Sequence, residues 1–286
     1  MEKVLVIGAK GMAGHVVKTY LETTGRYEVW GIARNINESA NEISLDVSRE
    51  KELEDVIKKH QFDYVINCIG ILNKDAEDNP YKAIWYNSYF PHLLEKWGAE
   101  LRFKLIHIST DCVFSGKGNG GYTESSFKDG IGYYAQSKAL GEVDNDKDLT
   151  IRTSIVGPEL KSDGIGLFHW FMQQEKPIKG YVHAYWSGVT TIVLAQAIDQ
   201  AIQQNLKGLF QLTNNQKISK FDLISLFNNQ FRGGKLEISP DANYKVDKSL
   251  VSTRNDFDFK VPDYETMVLE MNKWMQQHQE TYRNYK

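Results

Sequence analysis

In the stretch GIGYYAQSKALGE (130–142) a phenol and an ammonium recur one helical turn apart. Residues four apart lie nearly above one another on an α-helix, whereas residues five apart do not. Tyr134 therefore shares a face with Lys138, and Tyr133 points about 100° away by the same geometry. A phenol held beside a cation can donate a proton, because the cation favours the phenolate that is left. Upstream, HISTDCVFSG (107–116) gathers Ser109, Thr110 and Asp111 at the end of an apolar run. A hydroxyl there could donate to a substrate carbonyl while Tyr134 supplies the proton. Ser and Thr at such a point also form ordinary turns.

A second group of residues suits a dinucleotide. VLVIGAKGMAGHVV spaces Gly8, Gly11 and Gly14 evenly between the first apolar run and a helical pattern that Met12 opens. Glycine allows a tight turn and close approach of a pyrophosphate, and the helix start adds free N–H groups with partial positive charge. A nicotinamide dinucleotide lacking the 2′-phosphate usually meets an acid about 20 residues beyond the glycines. GIARN puts Arg34 there instead, and a guanidinium forks well onto phosphate oxygens. NADPH is therefore expected in preference to NADH, unless Arg34 merely solvates a loop. Asp46, ending EISLD, could accept from an adenine amino group or serve as the acid at a helix start. In NCIG (67–70), Cys68 and Gly70 fall where a nicotinamide ribose would lie against a strand end; Asn67 can be a satisfied buried amide.

These groups need a scaffold. Strand-like runs at 3–9, 27–33, 42–47, 63–70, 104–110 and 149–157 alternate with helical patterns at 12–24, 49–60, 80–98 and around Tyr134–Lys138. Continuous Val/Ile runs between helices indicate a parallel sheet covered on both faces. Beyond Pro158, helices are expected at 164–176, 187–204, 220–231 and 264–280, with a strand at 208–214. The expected class is α/β: a Rossmann-like doubly wound parallel sheet with a smaller interleaved C-terminal substrate region. Residues 1–157 would form the dinucleotide domain, with 187–214 returning to it, and 158–286 mainly the substrate region. Open parallel sheets bind ligands at the C-terminal ends of their strands, so the cleft should lie between these parts. Phe168, Trp170, Tyr181, Tyr185 and Trp186 fall in the segment expected to line it, for stacking on a base or sugar or for filling a small core. Arg254 could pair with a substrate diphosphate or stay on the surface, and His107 reads as buried strand filler.

Bulk properties narrow the classes. With 286 residues, 41% hydrophobic and 25% charged, the composition is that of a globular protein. The net charge of −3 gives no general pull toward nucleic acid or anionic membranes. No apolar run approaches the roughly 20 residues of a membrane span. The first residues pass straight into a strand pattern without a signal-peptide layout. Cys68 and Cys112 are expected to be reduced thiols of a cytoplasmic protein, and no Cys/His cluster has metal-ligand spacing.

Together VLVIGAKGMAGHVV, DYVINCIG, STDCVFSG, YAQSKALGE and IRTSIVGP resemble the extended short-chain dehydrogenase/reductases, and within them the dTDP-4-dehydrorhamnose reductase family. The resemblance runs over about the first 158 residues and thins beyond. It implies a catalytic Thr110, Tyr134 and Lys138, with Lys138 lowering the tyrosine pKa and holding the nicotinamide ribose. The implied reaction is NADPH-dependent reduction of a 4-keto-6-deoxy sugar nucleotide, with Asp111 on the substrate side and a homodimer as one assembly. Asn87, in KAIWYNSYF, matches the family's helix Asn and is expected to support packing between helix and sheet, the alternative being contact with ligand. Cys112 stands where such reductases carry Tyr and where 4,6-dehydratase relatives carry Glu. The segment 180–191 also departs from the family's Gln- and Pro-bearing one. A non-catalytic nucleotide-binding subunit, or an epimerase or dehydratase, are the alternatives.

Overall fold

The computed structural model describes residues 1–285. Its strands are β1 Glu2–Ile7, β2 Tyr27–Ala33, β3 Glu42–Ser44, β4 Tyr64–Asn67, β5 Lys104–Thr110, β6 Leu149–Thr153, β7 Ile155–Val156, β8 Ile178–Trp186, β9 Val189–Thr190, β10 Gly208–Gln211, β11 Ile218–Ser219 and β12 Ile238–Asp247. The α-helices are α1 Met12–Thr23, α2 Glu50–His60, α3 Asn73–Asp78, α4 Pro80–Ala83, α5 Phe90–Leu101, α6 Tyr133–Leu140, α7 Leu167–Met172, α8 Thr191–Gln203, α9 Lys220–Arg232 and α10 Tyr264–Gln277. A π-helical turn, Ile84–Tyr89, joins α4 to α5 without a break.

Seven strands form one parallel sheet in the order β10-β6-β5-β4-β1-β2-β3. Its central strands are apolar on both faces because both are covered: Val4, Leu5, Val6 and Ile7 are fully buried. Val4 and Val6 belong to the larger core, with α1, α8 and α10, while Leu5 and Ile7 belong to the core under α2 and α5. This is the doubly wound plan. The outermost strand, β10, arrives from residue 208, after the chain has left the sheet and returned.

A second sheet, β11-β8-β12, is new relative to the sequence reading, which left 178–186 and 238–247 without strands. Both strands carry polar residues on one face and a β-bulge separates Asp241 from Lys245, so neither shows a continuous apolar run. Helix α9 begins directly after β11, with Ser219 as its cap accepting from the Asp222 N–H at 3.0 Å. Among the described residues no helix is long and apolar enough to cross a membrane.

Candidate active site

The turn between β1 and α1 forms a cradle for an anion. Gly8 sits at φ +87°, a left-handed conformation that glycine adopts without penalty, and the Gly11 N–H closes the turn on the Gly8 carbonyl at 2.8 Å. A Cβ on Gly14 would collide with that same carbonyl, so glycine there lets α1 seat against the turn. Gly11 caps α1 with no side-chain bond and no acid follows in the first turn. The N–H groups of Met12, Ala13 and Gly14 therefore have no intrahelical acceptor, which suits a diphosphate. Gly70 is less constrained: a Cβ there would lie an ordinary 3.6 Å from Asn87 Oδ1.

At the ends of β1 and β2 two cations flank the turn. Arg34 Nη1 lies 3.9 Å from Asp46 Oδ2 with most of its side chain in solvent. Lys10 Nζ donates to the Asn35 carbonyl at 2.7 Å. Lys10 was not legible in the sequence because its partner Asn35 lies 25 residues away and is met only through the pairing of β1 with β2. Asp46 Oδ1 accepts from the Ser48 N–H at 3.0 Å and hydroxyl at 2.8 Å, and from the Tyr86 hydroxyl at 3.3 Å. Burial works to raise its pKa, but the Ser48 bonds and the Arg34 charge outweigh it and hold the carboxyl below its ordinary value.

Strand β5 and helix α6 bring the reactive groups together. Thr110, the last residue of β5, accepts the Cys112 N–H at 3.1 Å and donates to Asp111 Oδ1 at 3.2 Å. Tyr134 faces inward beside the Thr110 hydroxyl, whereas Tyr133 is 47% exposed. Burial raises the Tyr134 phenol well above its ordinary value; Cys112 and Asp111 push the same way and the Thr110 hydroxyl opposes them. Lys138 Nζ is turned to the strand, donating to the Ile108 carbonyl at 2.7 Å and lying 3.2 Å from His107 Nε2. Burial pushes the Lys138 ammonium down to about 8, against the negative field of Glu142 and Cys68.

Helix α6 is anchored at three points. Glu77, on α3, accepts the Tyr133 and Tyr134 N–H groups, each at 3.1 Å, and so caps the helix from outside. The π-turn supplies fully buried Asn87, which bonds both backbone groups of Ile71 (2.8 and 2.9 Å) and the Ser137 hydroxyl (3.0 Å). Asn87 thereby ties the loop after β4 to α6, the packing role expected of it. A π-bulge displaces one residue into such a place, and such bulges recur at functional sites. Past the helix end, Glu142 accepts from Arg152 Nε (2.8 Å) and Nη2 (2.7 Å), Ser109 Oγ (2.7 Å) and Lys128 Nζ (3.0 Å).

The C-terminal region contributes two lysines that sequence reasoning missed. Lys220, which opens α9, and Lys248, just past β12, carry positive charge toward Asp111 and Cys112. Burial still raises Asp111 despite them, and it pushes the Cys112 thiol up to about 11. A signal did exist: a lysine in the first turn of a helix opposes the helix dipole.

Three expected substrate residues lie elsewhere. Phe168 is fully buried against Phe227 and Phe231, with ring centroids 5.3 and 4.7 Å away. Trp186 is 3% exposed and packs on Tyr264. The cause is period two: along β8, Gly180, Ala184 and Trp186 face inward, while Tyr181 turns out to meet Tyr244 and Tyr185 carries the Lys217 ammonium 4.4 Å above its ring. Trp170 stays half-exposed on α7. Arg254 donates to the carbonyls of Lys207 and Leu209 and pairs with Asp256. That is the N-terminal edge of the sheet, where a hollow of 470 Å³ is lined by Asp144, Lys207 and Arg254, at the other end from Thr110.

A doubly wound sheet with a glycine turn on its first strand and an inward Tyr-x-x-x-Lys beside a strand-end Thr defines a short-chain dehydrogenase/reductase. The chain matches the model of the family described as RmlD substrate binding domain over residues 1–282, and it belongs to that family. It is 26% identical over 256 residues to the dTDP-4-dehydrorhamnose reductase of Aggregatibacter actinomycetemcomitans, covering 85% of this chain and 84% of that one. It is 29% identical over 143 residues to the spore coat polysaccharide biosynthesis protein SpsK of Bacillus subtilis, but that match spans 50% of this chain and only 47% of the relative. Among solved structures, the dTDP-4-dehydrorhamnose reductase of Bacillus anthracis in complex with NADP superposes with a TM-score of 0.80 at 20% identity, over 95% of this chain and 98% of that one. At that identity the likeness is one of fold.

Proposed function

We propose that this protein is an NADPH-dependent reductase acting on the keto group of a 4-keto-6-deoxy sugar nucleotide, in the making of a polysaccharide sugar. The observation that carries this is the convergence of Thr110, Tyr134 and Lys138 at the C-terminal ends of the strands that also bear the glycine cradle. The names of the relatives support it: one is a dTDP-4-dehydrorhamnose reductase and a structural neighbour was solved with NADP.

Gly8, Gly11, Met12 and Gly14 would hold the cofactor diphosphate, Arg34 and Lys10 its 2′-phosphate, Asp46 the adenine, and Cys68 and Gly70 the nicotinamide ribose side. What NADPH supplies in that cradle is a hydride for the carbonyl carbon. Thr110 orients the carbonyl oxygen by donating a hydrogen bond, and Tyr134, kept protonated by its raised pKa, gives that oxygen its proton. Lys138 holds positive charge behind the phenolate so formed. Lys220 and Lys248 meet the anionic substrate, and Asp111 a sugar hydroxyl. Cys112 supplies no carboxylate beside Asp111, so the second acid that elimination of water requires is missing. Residues 1–157 with 187–214 would serve the cofactor, and the rest of 158–286 the substrate. A cytoplasmic location and a homodimer belong to the same proposal.

The test is NADPH oxidation against a panel of dTDP-, UDP- and GDP-4-keto-6-deoxyhexoses. One panel member should be reduced with one NADPH consumed per sugar; binding of NADPH with no turnover on any member would overturn the proposal. The cofactor side has its own check. Replacing Arg34 and Lys10 by Ser should weaken NADPH binding about 10-fold or more, or at least 1.4 kcal/mol, with NADH nearly unaffected. Fluorescence titration with both nucleotides measures this, and equal losses for the two would remove the 2′-phosphate assignment.

A further inference from the structure

Behind Lys138 runs a buried polar chain that the reduction as described leaves unused. Lys138 Nζ lies 3.2 Å from His107 Nε2, and His107 Nδ1 lies 3.2 Å from Asn67 Nδ2. His107 and Asn67 are fully buried and Lys138 is 3% exposed.

The chain has a direction. The Ile69 N–H donates to Asn67 Oδ1 at 3.1 Å, so the amide NH₂ is the end that faces His107. An amide NH₂ only donates, so Nδ1 must accept, and a neutral imidazole then carries its proton on Nε2. Burial, with the Lys138 and His92 charges adding, holds His107 far below its ordinary pKa and keeps the ring neutral. The Nε2–H therefore points at Lys138 Nζ. An ammonium has three donors and no acceptor. It meets this N–H donor against donor, whereas an uncharged amine can accept from Nε2 and still donate to the Ile108 carbonyl.

We propose that His107, locked by Asn67 as the Nε2–H tautomer, is a positioning residue that pins Lys138 Nζ to the Ile108 carbonyl and makes its ammonium ready to give up a proton. This rests on the reductase reading for its use. After each turnover the Tyr134 phenolate takes a proton, directly or across bound hydroxyls, from Lys138; the amine left behind accepts the Nε2–H and is recharged by water. Glu142 and Cys68 favour the charged lysine, so the tautomer acts against them. His107 touches neither carbonyl nor phenol in this scheme.

The test uses the free protein with isotope-labelled histidine and lysine. Long-range ¹⁵N–¹H spectra should show His107 protonated at Nε2 and bare at Nδ1 throughout about pH 5 to 9. The Lys138 side-chain signal, identified by its loss in Lys138→Met, should titrate below the solvent-exposed lysines. In Asn67→Leu the ring is free to turn its bare nitrogen to Lys138, and that titration should move up by about one unit or more. A His107 found protonated at Nδ1, or a Lys138 titration unmoved in Asn67→Leu, overturns the proposal. If Asn67→Leu does not fold, the wild-type tautomer decides alone. No substrate is needed, so failure here leaves the reductase reading standing, and a panel without turnover leaves the tautomer result intact.

Discussion

Tyr134→Phe is expected to lower turnover by about 10²- to 10⁴-fold while leaving NADPH affinity nearly unchanged. The phenol ring packs at the mouth of a helix that Glu77 caps and Asn87 braces, so removing one oxygen leaves that frame in place. What disappears is the proton for the carbonyl oxygen. Thr110 can still turn its one O–H from Asp111, 3.2 Å away, to the carbonyl oxygen, but a hydroxyl is a far weaker acid than a phenol. Burial, Cys112 and Asp111 keep the phenol protonated at neutral pH, which is the form a reduction consumes. Single-turnover measurement of NADPH oxidation, with nucleotide titration alongside, separates the two effects. A variant that retains more than about a tenth of wild-type turnover would remove Tyr134 from the role of acid.

Arg152→Met should cost about 3–5 kcal/mol of stability, read as a fall in the urea midpoint. Arg152 is the largest fully buried side chain among the described residues and it meets Glu142 with two hydrogen bonds, with Phe114 beneath its guanidinium. Methionine fills much of the volume but leaves the Glu142 carboxylate with Lys128 and the Ser109 hydroxyl alone. The sign with pH follows from the carboxyl. Burial would raise its pKa, yet Arg152 leads the groups that hold it below its ordinary value, so in the wild type its contribution is present above the unfolded pKa of about 4.3 and fades as the pH falls through the folded one. In the variant burial prevails and the carboxyl gains a proton more easily than in the unfolded chain. The deficit is therefore largest at neutral pH and narrows in acid. A deficit that does not change with pH would mean that lost packing, not the stranded charge, is the cause.

The strands whose side chains are covered on both faces were plain in the sequence. YEVWGIA and KLIHIST are β2 and β5 to the residue, because a short, mostly apolar run with β-branched and aromatic residues suits a strand covered on both faces. Strands β8 and β12 were not plain, since one of their faces meets solvent and the other only a single helix. The aromatic residues of β8 therefore read as a cleft lining, yet Trp186 lies in the core, as does Phe168 on α7. The Tyr134–Lys138 pair was legible because helix periodicity is local. The partners of Lys138 were not, for Ile108 and His107 are 30 and 31 residues away and meet it only through the packing of α6 on β5. Lys220 and Lys248 were hidden for the same reason, being brought to Asp111 by the fold of the second sheet.

Strand β10 takes its place outside β6 only after the chain has made α7, β8 and α8. A chain stopped after residue 157 would keep every glycine of the cradle and the whole Tyr134 helix, yet Leu149–Thr153 would become a bare edge with unmatched amides and the cover of α8 gone. Such a half is poised to zip onto a second copy of itself through that edge. The first 157 residues thus have no safe existence alone, and the later return of α8 and β10 to the sheet is what keeps that edge from sticking.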